Sequence, residues 1–105
     1  DAVKRGDLER LGRVMEHNAM KMHASALAAD PCVLYLNGTS LAALDEVRAL
    51  RKSGTGAWAT MDAGPHVKVL CAPSDAASIE ARMRSIDGVV GVDVCAPGPA
   101  ARIVS

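Results

Sequence analysis

Two short apolar runs, folded against each other by a Gly-Pro turn, constrain this chain more than any other feature. Residues 56–62 read Gly-Ala-Trp-Ala-Thr-Met-Asp, and residues 66–72 read His-Val-Lys-Val-Leu-Cys-Ala. Ala63-Gly64-Pro65 lies between them. Apolar runs this short, bounded by turn residues, have the length of strands rather than helices. The second alternates Val67, Val69 and Cys71 against His66, Lys68 and Leu70, the period of two of a strand whose side chains point to opposite faces. The pair predicts an antiparallel hairpin. A lone hairpin is at best marginally stable in water, so the rest of the chain must cover it.

The covering elements read as helices. Asp7 is placed to cap the first, and Leu8, Leu11, Met15, Ala19, Met22 and Ala26 recur at spacings of three and four. That is the inner stripe of an amphipathic helix running to about Ala29. Asp30-Pro31 ends it, because proline disfavours helix in the residue before it. Residues 32–40 form either a brief strand or a buried connector. Thr39 or Ser40 is expected to cap a second helix with Leu41, Leu44, Val47 and Leu50 inward and Gly54 as its left-handed terminator. Pro73-Ser74 opens a third helix, with Ser74 or Asp75 as cap and Ile79, Met83 and Ile86 inward. Asp87-Gly88 closes it. Residues 89–96 read as a strand, 97–99 as a loop and 101–104 as a short final strand. The order α, α, β, β, α, β, with that last short β, predicts an α+β fold. It is a two-layer sandwich of an antiparallel sheet with helices on one face. Residues 1–105 form one domain, with no internal repeat.

Half the residues are apolar, yet there is no Phe, one Trp (Trp58) and one Tyr (Tyr35). The core must be built from Ala, Val, Leu, Ile and Met. Twelve basic residues balance twelve acidic ones, which gives no case for nucleic acid or an anionic membrane as partner. Two aromatics do not make a base-stacking platform. No apolar run approaches the roughly 18 residues of a membrane span. The three cysteines, Cys32, Cys71 and Cys95, are odd in number and far apart. They argue against a disulfide framework or zinc site and for reduced thiols packed as small hydrophobes in a cytoplasmic protein. The chain opens at Asp1, directly before a charged helical pattern, which reads as a segment of a longer protein.

Few residues are placed to carry chemistry. His17 and His23 share a helix but lie about 240° apart around it at 3.6 residues per turn, so they do not form a chelating i, i+4 pair. His66 stands beside the turn without an acidic cluster near it in sequence, and no metal is expected. No nucleophile elbow, P-loop or dinucleotide fingerprint occurs. Gly54-Thr55-Gly56 follows a helix and reads as a C-cap. Arg48, Arg51 and Lys52 suit a solvated helix end near the negative pole of the dipole, and Met15, Met20, Met22 and Met61 read as core filler. Asp62 remains. Asp, Gly and Pro dominate turns for backbone reasons, so Asp62 reads as a turn residue. Pattern alone favours that reading; the second is a carboxylate at the end of an apolar strand, where partial desolvation raises its pKa and Gly64 lets a ligand approach.

Two stretches extend this reading. "MEHNAMKMHASALAADPCVLYL", residues 15–36, and "TMDAGPHVKVLC", residues 60–71, resemble the C-terminal domain of the diphosphomevalonate decarboxylases, members of the GHMP kinase superfamily. The order and separation of the two match, and the likeness continues more loosely through the third helix. Kinases of the superfamily carry a Gly-rich run where "DAGP" stands here. The resemblance implies the GHMP C-terminal α+β fold, related to ferredoxin-like sandwiches. It implies an ATP-dependent lyase of isoprenoid biosynthesis that phosphorylates the tertiary 3-hydroxyl of mevalonate 5-diphosphate and releases ADP, phosphate and CO2 to give isopentenyl diphosphate. It assigns Asp62 the catalytic role, against the 3-hydroxyl as general base or orienting group, and places Ala63 and Gly64 beside the substrate. An alcohol is a poor nucleophile until its proton has an acceptor within reach.

The chain departs from that pattern at His66, where the family most often has Asn. The resemblance also implies that the ATP-phosphate loop and the diphosphate-binding residues lie in an N-terminal lobe, outside these 105 residues. The expected partners are therefore a mevalonate phosphate, that lobe, and a second copy in a homodimer, with no nucleic acid and no membrane. ATP and Mg2+ are expected to be bound mainly by the other lobe, so that this segment alone is inactive. Two other readings remain beside it: a GHMP-type kinase lobe, and a non-catalytic α+β module that binds a ligand or dimerises.

Overall fold

A computed structural model describes residues 6–104. Helix α1 spans Leu8–Ala28, α2 Gly38–Lys52, strand β1 Ala57–Thr60 and β2 Lys68–Cys71. A short 3-10 turn, Pro73–Asp75, leads into α3, Ala76–Arg84.

Asp7 caps α1 as expected, its carboxylate accepting the Arg10 N–H at 3.0 Å. The inner face of α1 is rotated from the expected stripe. Gly12, Ala19 and His23 are its buried residues, while Met22 is exposed. Gly12 occupies the inner line because the Trp58 ring lies where a side chain would go: a Cβ there would stand 2.2 Å from the indole. Helix α2 starts earlier than expected. Its cap is Asn37, not Thr39 or Ser40, and the Asn37 side chain accepts the Ser40 N–H at 2.8 Å. The shift turns Leu41 outward and brings Ser40 and Ala43 inward with Val47 and Leu50. Gly54 terminates the helix with φ +98°, a left-handed conformation that glycine adopts without a Cβ clash. Helix α3 has no side-chain cap from Ser74 or Asp75; its 3-10 lead-in takes that place.

The hairpin pairs Ala57 with Cys71, Trp58 with Leu70, Ala59 with Val69 and Thr60 with Lys68. Ala57 and Ala59 point into a core formed by Ala43, Val47 and Leu50 of α2 and Ile79 and Met83 of α3, with Val67, Val69 and Cys71 packed beside it. Each fully buried Val, Leu, Ile or Met contributes about 1.5–3 kcal/mol. The expected layering of helices over one sheet face holds for α2 and α3. Helix α1 adds cover on the Trp58 side.

The outer edge of β1 is closed by side chains rather than by a third strand. Glu16 of α1 and Arg51 of α2 form a two-pronged ion pair at 2.7 and 2.8 Å. Glu16 also accepts the Ala59 N–H at 2.7 Å, and Arg51 donates to the Ala57 carbonyl at 2.7 Å. Together they make the bonds a neighbouring strand would make. Arg51 is thus half-buried structure, not part of the solvated helix end expected for it.

The class is α+β with an antiparallel sheet, but the sheet has two strands. Neither 89–96 nor 101–104 forms a strand. Val92 packs partly against the core and its carbonyl accepts from Arg84 at 2.9 Å, yet Val90 and Val94 are exposed. Apolar alternation marks a segment fit for a strand but does not provide a hydrogen-bond partner, and among the described residues this segment has none. The cysteines are free, as read from their spacing, but only Cys71 is partly buried; Cys32 and Cys95 are exposed. Burial, with Asp75 adding to it, pushes the Cys71 thiol up.

Candidate active site

Strand β1 delivers the site. Met61, just past its last residue, is fully buried at 2% exposure and anchors the chain. Asp62 follows and projects into solvent, its side chain 83% exposed. The expectation of a desolvated carboxylate with a raised pKa is therefore overturned. Lys68 Nζ lies 2.7 Å from Asp62 Oδ2. Its hydrogen bond, then its charge, hold the Asp62 carboxyl below the usual carboxylate range. The hairpin register explains the contact. Lys68 pairs with Thr60, and Asp62 stands two residues further on, on the same face, within reach of a long diagonal side chain.

The turn itself is tight. The Gly64 N–H donates to the Asp62 carbonyl at 2.9 Å. The far leg is tied to α2, where the buried Ser40 Oγ donates to the Pro65 carbonyl at 2.7 Å. Ala63 is exposed and Gly64 half-buried, so a ligand lying over Asp62 would meet both. A Cβ at Gly64 would meet nothing within 4 Å.

The histidines take no part. His17 and His66 are exposed. His23 is 3% exposed and stands edge-on to Tyr35, the ring centroids 5.9 Å apart, a helix-packing role. Among the described residues, no three His, Cys, Asp or Glu side chains converge to hold a metal, and no helix is long and apolar enough to cross a membrane. An open groove of about 530 Å³ runs between α1 and β1, lined by Glu9, Arg13, Trp58 and neighbours. None of its lining residues belongs to the turn.

Three supporting residues were not visible as such in the sequence. The sequence marks Ser40 only as a candidate helix cap and Arg51 only as part of a solvated helix end, and nothing in it singles out Glu16. Arg51 and Glu16 are 35 positions apart, so their pairing depends on the packing of two helices. The assembled geometry is a carboxylate facing outward into water at the end of a held strand.

The model of the mevalonate 5-diphosphate decarboxylase C-terminal domain matches residues 1–89. The chain belongs to this family. Its fold agrees with solved structures of mevalonate diphosphate decarboxylase from Staphylococcus aureus (34% identity, TM-score 0.76) and of mevalonate pyrophosphate decarboxylase from Streptococcus pyogenes (38% identity, TM-score 0.75). The first match covers 83% of this chain and 27% of the neighbour, the second 81% and 27%. A third match is MDDEF in complex with MVAPP, AMPPCP and magnesium, at 35% identity, TM-score 0.76, and coverage of 83% and 27%. No curated protein sequence matches significantly. The chain thus spans about a quarter of the length of the decarboxylases it resembles in structure.

Proposed function

We propose that this chain is the C-terminal lobe of an ATP-dependent decarboxylase that converts mevalonate 5-diphosphate to isopentenyl diphosphate, ADP, phosphate and CO2. Asp62 is its catalytic carboxylate, and Ala63 and Gly64 line the substrate. The observation that carries this reading is the exposure of Asp62 on a turn fixed at both ends. A carboxylate so placed is accessible to a substrate held by another lobe. Membership of the decarboxylase family supports the reading, as does a relative that holds MVAPP, an ATP analogue and magnesium together.

Asp62 is ionised near neutral pH, and Lys68 lowers its pKa further. In this reading it accepts the hydrogen bond of the substrate 3-hydroxyl, aims the oxygen at the transferred phosphoryl group and draws off its proton as the P–O bond forms. Among the described residues no cluster fits a resident Mg2+: Asp62 pairs with Lys68 and no second carboxylate joins it. ATP and Mg2+ accordingly belong to the N-terminal lobe of the same protein. Exposed Leu27, Leu34 and Leu41 offer apolar surface for that lobe or for a second copy. A cytoplasmic location accords with three free thiols.

The test is release of ADP and CO2 from mevalonate 5-diphosphate by the full-length protein. Asp62→Asn should lower both by about three orders of magnitude, a loss of ~4 kcal/mol in transition-state stabilisation. The 105-residue segment alone should release neither. A variant nearly as active as the wild type would return Asp62 to the rank of turn residue, and an inactive wild type would refute the decarboxylase reading.

A further inference from the structure

The turn that carries Asp62 follows buried Met61, and its far leg is tied to the core by one hydroxyl outside the hairpin. Strand pairing ends at Thr60 and Lys68, two residues short of Asp62. Within the turn, the Gly64 N–H to Asp62 carbonyl bond closes only three residues. The Lys68 partner is 64% exposed on a long, flexible stem, so it lowers the Asp62 pKa without fixing its position. Buried Met61 holds the near end of the turn; the tie on its far leg is Ser40.

Ser40 Oγ has two acceptors in range, the Pro65 carbonyl at 2.7 Å and Asn37 Oδ1 at 3.0 Å. A hydroxyl carries one proton. Asn37 Oδ1 already accepts the Ser40 N–H at 2.8 Å, and the Pro65 bond is the shorter, so the proton goes to Pro65. Ser40 is 2% exposed. Its backbone is set by the first turn of α2, whose next turns put Ala43, Val47 and Leu50 into the core. The line from core to turn is thus rigid up to Pro65, three residues past Asp62.

We propose that Ser40 is a positioning residue for Asp62. By holding the Pro65 carbonyl, it fixes where the turn presents the carboxylate to the reacting hydroxyl. This rests on the reading of Asp62 as the catalytic carboxylate. Misplacement of a reacting group by about 1 Å can cost 100-fold in rate, so loss of the tie should appear in turnover more than in substrate binding.

The experiment combines kinetics with amide hydrogen exchange in the full-length enzyme. Ser40→Ala should lower kcat by about 10- to 100-fold, with KM for mevalonate 5-diphosphate changed less than about 3-fold. In an Asp62→Asn background the same change should cost less than about 2-fold, because a residue acting through Asp62 has nothing left to position. Amides of residues 61–64 and 66 should exchange about 10-fold faster in Ser40→Ala, while those of Val47–Leu50 stay as they are. Ser40→Cys, nearly isosteric with a weak donor, keeps the packing and should fall between, which covers failure of the alanine variant to fold. Equal losses in both backgrounds, or unchanged exchange across 61–64 and 66, would overturn the proposal. A wild type without product would refute the decarboxylase reading. Positioning for that chemistry would fall with it, and the exchange data would separately decide whether Ser40 holds the turn.

Discussion

Strand β1 and the turn it feeds are adjacent in sequence and opposite in physics. Ala57, Ala59 and Met61 are essentially inaccessible, at 0, 1 and 2% exposure. The free edge of the strand is closed by Glu16 and Arg51. One residue later Asp62 is almost wholly in water. The strand spends its chemistry on internal satisfaction: its side chains are packed and its outward backbone groups are bonded. The turn does the reverse, leaving a charged group accessible while its backbone is held. The contrast shows how a small domain can hold a charged group in place without burying it.

The comparison can be broken at the strand first, where effects on stability should be largest. Arg51→Ala removes one half of a pair whose side chains are 29% and 20% exposed. It leaves the Glu16 carboxylate without its cation and the Ala57 carbonyl without its donor. Urea unfolding should show a loss of about 2–3 kcal/mol, below the 3–5 of a fully buried pair because some water reaches this one. A loss within 0.5 kcal/mol would mean that the edge of β1 needs no closing.

At the turn the effect should fall on pH dependence rather than on stability. Lys68 lowers the Asp62 pKa, so Lys68→Met should let it rise toward the ordinary value. A carboxylate must be ionised to accept the hydroxyl proton, so the acid limb of kcat/KM in the full-length enzyme should move to higher pH. The unfolding midpoint should stay close to wild type, since exposed ion pairs contribute little. An acid limb that stays in place would separate Lys68 from the titration of Asp62.

The sequence made the hairpin, the three helices and the left-handed Gly54 legible, because each rests on local pattern. It marked residue 62 as a candidate through a four-residue turn resembling a known family. It did not reveal the solvent exposure of Asp62, which depends on how far the chain travels past the buried Met61. Nor did it show that Asn37 rather than Thr39 or Ser40 begins α2, a shift that frees the Ser40 hydroxyl for Pro65. The apolar run at 89–96 reads as a strand because alternation reports on side chains, whereas strand formation needs a backbone partner. Met22 and His23 exchanged places because Gly12 and the Trp58 ring set the roll of α1, a contact between residues 46 positions apart.

The central claim is that this scaffold presents Asp62 to the reacting hydroxyl. The most direct measurement is the distance from the Asp62 carboxylate to the 3-hydroxyl of mevalonate 5-diphosphate in a crystal structure of the full-length protein with substrate bound. The account predicts direct hydrogen-bond contact, about 2.6–3.2 Å between heavy atoms. A hydroxyl out of reach even through one water, with Asp62 still turned to Lys68, would contradict it.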